Sequence, residues 1–133
     1  MYEYRVQRIV KVVDGDTVDI VIDLGFSLTK KERVRLSGID TPESRTKDLE
    51  EKKLGIDAKE FLERRLHETI ENLIVRTEKD GKYGRMLGEF IVDDLSINEE
   101  MYDRGYAWKY DGGSKKKDLQ ELIDRRNKYV KIT

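Results

Sequence analysis

The chain has 133 residues, with 27 Lys and Arg against 28 Asp and Glu, a formal net charge of −1 and 41% charged side chains. That length suits one compact domain over residues 1–133, with surface enough to bury for a core without covalent staples. The absence of Cys excludes disulfides, thiol nucleophiles and thiolate metal sites, the single His67 excludes any site built on two imidazoles, and no apolar run approaches the ~20 residues of a membrane span.

The N-terminal third reads as strands. Residues 4–13 are rich in β-branched side chains, and residues 17–23 alternate polar and apolar with a period of two. Asp14-Gly15 between them is a hairpin signal, because Gly accepts positive φ. A looser turn over 25–31 leads to a third strand over 32–36, and residues 43–53 read as a charged loop after the breaks at Gly38 and Pro42. Ala58, Phe61, Leu62, Leu66 and Ile70 then form one apolar stripe at helical spacing. Strands are predicted over 73–77 and 86–92, with a turn at Asp80-Gly81 and Tyr83-Gly84 between them. Ser96-Ile97-Asn98-Glu99 has the form of a capping box, with Gly105 closing a short helix over 96–104. A third helix is expected over 114–128, after the Asp111-Gly112-Gly113 break. The predicted fold is therefore α+β and mainly β: a five-stranded Greek-key barrel of the OB type with three helices.

Three polar clusters flank turns. Asp14-Gly15-Asp16-Thr17 is either an ordinary acidic hairpin or a place where a carboxylate at a strand start holds a hard cation through oxygen. In the stretch from Val34 to Glu43, Arg35 falls between two apolar neighbours and so points away from the core, beside the acidic turn Asp40-Thr41-Pro42-Glu43. Asp80-Gly81-Lys82-Tyr83-Gly84-Arg85 is either a charged hairpin tip or an anion clamp, Arg offering a planar fork that matches phosphate oxygens. Together they supply two carboxylates for a divalent cation, a third to position or deprotonate water, and two guanidiniums for a phosphorane-like transition state. That inventory suffices for phosphodiester hydrolysis without His or Cys.

These residues resemble the staphylococcal nuclease (thermonuclease) family, in Val12-Val13-Asp14-Gly15-Asp16-Thr17-Val18, Arg35-Leu36, Asp40-Thr41-Pro42-Glu43, Lys82-Tyr83-Gly84-Arg85 and the helix end at Met101 to Ala107 with Gly105. The resemblance implies a calcium-dependent nuclease cleaving the P–O5′ bond of DNA, with RNA as a further substrate, to leave 3′-phosphate and 5′-hydroxyl ends. It implies that Asp16 and Asp40 are calcium ligands with the Thr41 backbone carbonyl, and Asp14 an outer-shell member. Glu43 matches the general base, Arg35 and Arg85 the phosphate-binding pair, Lys82 and Tyr83 contacts to a neighbouring phosphate, and Tyr110 an aromatic under a base. Calcium is expected over magnesium, which should bind with little turnover.

The chain departs from the often basic members of that family in its pI near 6.0, so weaker and more salt-sensitive nucleic-acid binding is expected. Lys115-Lys116-Lys117 is either a local basic patch or a solvated helix start, and Trp108 either a core residue or a stacking surface. The expected partner is single-stranded DNA or RNA, with no membrane contact and a monomeric chain. The start shows no signal peptide, so an intracellular location is expected unless a leader has been removed. The rival reading is a non-catalytic OB-type binding module for nucleic acid or protein. A glycosidase using Asp40 and Glu43 would leave Asp16, Arg35 and Arg85 without a role.

Overall fold

The computed structural model describes residues 1–78, 86–113 and 117–132. Strands β1 (Tyr2–Asp14), β2 (Thr17–Gly25) and β3 (Leu28–Leu36) form an antiparallel meander. Strand β5 (Ile74–Thr77) pairs antiparallel with both β1 and β6 (Met86–Val92), and β6 runs parallel to β3 with Val34 opposite Met86. That last pairing closes the order β3-β2-β1-β5-β6 into a five-stranded barrel. Inside it Val6, Val18, Ile20, Val34, Leu36, Val75 and Phe90 are buried almost completely.

Helix α1 (Leu49–Glu68) covers the barrel with Ala58, Phe61, Leu62 and Leu66, four of the five residues of the predicted stripe, while the fifth, Ile70, lies past the helix in a 3-10 turn and packs on the core partly buried. Helix α2 (Ile97–Asp103), reached through a short hairpin between β6 and β7 (Leu95–Ser96), adds Ile97 and Met101. A two-stranded ribbon of β4 (Ile39–Asp40) and β8 (Trp108–Lys109) pairs Asp40 with Trp108, and α3 (Leu119–Ile132) follows. The result is the expected α+β fold, a closed five-stranded barrel with three helices.

Strand β1 does not keep the alternation of an ideal strand. Its pairing with β2 shifts between Val6 and Arg8, between Ile9 and Lys11, and between Val12 and Asp14. Each bulge sets two residues against one, so the inward side recurs every third residue, at Val6, Ile9 and Val12. The outward side follows the same spacing, at Arg5, Arg8, Lys11 and Asp14.

Several boundaries differ from the sequence reading. The β2–β3 connection is tight rather than loose. Phe26 and Ser27 both have positive φ, 54° and 63°, and Gly25 pairs directly with Leu28. Such primed turns match the twist of a hairpin but are usually signalled by Asn-Gly, which is absent here. Strand β3 therefore starts earlier than expected, its charged residues being tolerated because one face is solvated. The region read as loop to residue 53 ends at Asp48, whose Oδ1 accepts the Glu50 and Glu51 N–H at 3.1 and 3.2 Å and caps α1. The Ser96 cap is half of the expected box: its Oγ accepts from Glu99 N but donates to Glu89, and Glu99 makes no return bond among the described residues. Helix α3 begins at Leu119, later than expected.

Candidate active site

At one end of the barrel the β1–β2 turn, the end of β3 and the β4 segment converge. Asp16 sits just before β2, and the antiparallel register puts Thr17 opposite Arg35. The peptide of Asp16 is locked to β3, its carbonyl accepting from Leu36 N at 2.8 Å. The turn leaves no room beside Gly15, where a Cβ would come within 2.8 Å of Ala58 Cβ and 2.9 Å of Thr41 Oγ1.

Arg35 is the centre of the arrangement, its side chain only 12% exposed. Its Nη1 donates to the carbonyls of Leu36 at 2.7 Å and Ile39 at 2.9 Å, so the turn between β3 and β4 wraps around the guanidinium. Its Nη2 faces Asp40 Oδ1 at 3.4 Å and Asp16 Oδ2 at 3.5 Å. Two buried carboxylates therefore share one cation and leave the cluster net negative. Asp16 is fixed by Thr17 Oγ1 at 3.1 Å on one oxygen and by Thr41 N at 3.2 Å on the other. The Thr41 hydroxyl is buried without a hydrogen-bond partner among the described residues. This all-oxygen, net-negative set suits a hard divalent ion that keeps much of its water shell. Among the described residues no group of three or more His, Asp or Glu side chains is disposed to hold a metal, so such an ion would rest on this pair.

The remaining predicted site residues lie at different removes. Asp14 Oδ1 accepts from Gly15 N at 3.0 Å at the turn. Glu43 is exposed, and its carboxylate has no hydrogen-bond partner among the described residues. Tyr110 is held by its N–H to Gly38 O at 3.0 Å, with the Arg35 guanidinium 5.9 Å from its ring centroid. A cavity of about 470 Å³ opens there, lined by Arg35, Leu87, Tyr110 and Gly112 among others. Lys82, Tyr83 and Arg85 lie outside the described residues, as do Lys115 and Lys116. Trp108 is a core residue, 3% exposed and donating from Nε1 to Asp118 O, while His67 is exposed and bonded to Glu63 O within its helix.

Residues 33–129 match the family described as Staphylococcal nuclease homologue. The chain belongs to the staphylococcal nuclease family. An uncharacterized protein of Methanocaldococcus jannaschii is 31% identical over 98% of this chain and 72% of its own. The thermonuclease of Staphylococcus intermedius is 34% identical over 78% of this chain and 57% of its own length, and the probable staphylococcal-like nuclease CAN1 of rice is 34% identical over 69% and 25%. The chain thus spans about half or less of several of the longer relatives it matches.

In this staphylococcal nuclease domain the structure also brings forward residues that motif reasoning passed over. The buried Glu51 accepts the Glu43 N–H at 3.0 Å and lies 3.4 Å from Lys117 Nζ, tying the Glu43 loop to α1 and the approach to α3. Gly55, one helical turn on, lets that loop touch the helix, because a Cβ there would fall 2.4 Å from Glu43 O. Asn98 is buried and accepts from Phe90 N while donating to Ser37 O and Gly88 O, which anchors the turn that carries Arg35's carbonyl partners. The Asp48-x-x-Glu51 spacing was a readable cap signal; Gly55 and Asn98 carry no local one.

Proposed function

We propose that this domain is a nuclease that hydrolyses phosphodiester bonds of DNA, and of RNA, to 3′-phosphate and 5′-hydroxyl ends with calcium as its metal. One observation carries the reading: a guanidinium with one terminal nitrogen gripped by two backbone carbonyls and the other turned to two buried carboxylates, at the rim of an open cavity. A structural ion pair needs one carboxylate, and a second held at the same nitrogen is an expense that a cation and an anionic substrate would offset. Relatives named as nucleases support the same reading.

In this proposal Asp16, Asp40 and the Thr41 carbonyl hold the metal, which when bound supplies positive charge to a phosphate oxygen. Glu43, exposed and without a competing partner among the described residues, takes a proton from a water whose oxygen attacks phosphorus. The P–O5′ bond breaks, the leaving oxygen takes a proton from solvent water, and Glu43 returns its own proton to solvent. Arg35 holds non-bridging oxygens as negative charge grows, and Arg85 by its place in the sequence motif completes the pair. The cavity beside Tyr110 receives the adjoining nucleoside.

Calorimetric titration of calcium tests the metal residues without relying on activity. The wild-type chain should bind one calcium, and Asp40→Asn should weaken binding at least tenfold while circular dichroism stays unchanged. Equal affinity in the two proteins would remove Asp40 from the metal site. Nucleic-acid binding without cutting in calcium would favour the OB-type binding module instead.

A further inference from the structure

The register of the first three strands assembles one continuous outer face. Its β1 row is Arg5, Arg8, Lys11 and Asp14, the bulges having brought these onto one side; the β2 row opposite is Asp23, Val21, Asp19 and Thr17; and the β3 row is Thr29, Lys31, Arg33 and Arg35. The face begins at the Asp14, Thr17 and Arg35 end, which is the candidate site, and runs six residues of β3 to Thr29, about 20 Å at strand rise.

Beyond its Asp14, Thr17 and Arg35 end it holds five cations against two carboxylates, Asp19 and Asp23, on a chain whose net charge is −1. Both carboxylates are already engaged. Asp19 takes a two-pronged contact from Arg33, at 2.7 and 3.1 Å, and Asp23 Oδ1 accepts from Gly25 N at 2.8 Å. Arg5, Arg8, Lys11 and Lys31 are exposed and form no salt bridge among the described residues. Val21 in the middle row is only 7% exposed, which fits the stems of long basic side chains lying over it. The β1 and β3 rows stand two strand spacings apart, about 10 Å, wide enough for one extended backbone between two lines of cations.

We infer that this face is a track for a single strand of nucleic acid, the sugar-phosphate backbone leaving the candidate site at Arg35 and running between Arg8 and Lys31 toward the β2–β3 turn. For the identity of its ligand the inference rests on the nuclease reading; its basis is the placement of charge. It also accounts for how a chain of slightly negative net charge holds a polyanion: the basic residues are sorted onto the face that continues the site, and the surplus of carboxylates lies elsewhere.

The experiment compares the wild-type chain with the double variant Arg8→Ala/Lys31→Ala and with Lys52→Ala/Lys53→Ala, an equal loss of charge on exposed positions of α1. Binding of fluorescent oligothymidylate, as a trimer and as a dodecamer, is followed by anisotropy against salt in chelator, where cutting does not interfere. For the dodecamer, the Arg8/Lys31 variant should show a log–log salt slope shallower by about 1.4, two contacts at about 0.7 each. The trimer should bind all three proteins alike, and the Lys52/Lys53 variant should match wild type throughout. With calcium, the Arg8/Lys31 variant should raise KM for the dodecamer about tenfold with kcat unchanged. An unchanged slope, or the same fall in the Lys52/Lys53 variant, overturns the track, and a larger slope change on a duplex than on the single strand overturns its assignment to a single strand. If the slope falls as expected but no protein cuts in calcium, the track stands and the catalytic reading fails.

Discussion

Arg35 donates in two directions at once, to the carbonyls of Leu36 and Ile39 and toward Asp16 and Asp40, and so it is at once a structural post and the positive centre of the site. Glu43 is different: it is exposed and, among the described residues, engaged only through its backbone, and in the proposed reaction it is the group that acts on water. Glu43→Gln should lower kcat by about 10²–10⁴ and leave the melting temperature unchanged, as checked by single-turnover cleavage and thermal unfolding. A fully active variant would remove Glu43 from the chemistry. The Asp19–Arg33 pair, next in line on β2 and β3, gives a pH signature. The hydrogen bonds from Arg33 hold the Asp19 carboxyl below its usual range; burial acts against them, and the charges of Arg33, Lys31 and Lys11 add to the lowering. A folded-state value below the unfolded one means the unfolded chain binds the proton first as pH falls. The pair's stabilisation is therefore fully present above pH ~4 and is lost as pH drops through the folded value. Asp19→Asn should be less stable than wild type at pH 7, with the difference shrinking toward pH 3 in denaturant titrations; a difference constant with pH would contradict it.

At the level of elements, the site is held by contacts between segments far apart in sequence. Glu51 and Gly55 on α1 fix the loop that bears Glu43, and Asn98 on α2 fixes the turn at Ser37. Gly55→Ala should push the Glu43 loop off the helix, since the added Cβ has no room against Glu43 O. The expected result is a loss of about 1–3 kcal/mol in stability and at least a tenfold loss of cleavage, with the far-ultraviolet dichroism retained. Wild-type cleavage by the variant would show that the loop's position is immaterial. This is also where the sequence stopped being informative. The helical stripe of α1 and the strand at Met86–Val92 were legible because burial imposes a period on Ala58, Phe61 and Leu62, and on Met86, Phe90 and Val92. The acidic clusters and Arg35 were legible because each lies next to a turn signal in the sequence, Asp14-Gly15 for one and Gly38 with Pro42 for the other. The charged run of β3 was not, because its solvated face has no hydrophobic period, nor was the three-residue period of β1, which follows from bulges. Gly55 and Asn98 act through partners that no local pattern names.

Over the whole molecule, a near-neutral chain separates its charges. Basic residues line the outer face of β1 to β3 and meet the acidic pair at the end of the barrel, so one surface carries both the proposed backbone track and the proposed metal ligands. The closed barrel serves this by holding β2 and β3 in fixed register, which keeps Asp16, Thr17 and Arg35 together. The central claim is that this end of the barrel hydrolyses phosphodiester bonds. Its most direct test is cleavage of end-labelled single-stranded DNA at low salt by the purified chain, in calcium and then in excess chelator, beside Arg35→Ala. The expected result is calcium-dependent cutting to 3′-phosphate ends that chelator stops and that falls about 10²–10³-fold in Arg35→Ala. Binding without any cutting in calcium, or cutting that persists unchanged in Arg35→Ala, would contradict it.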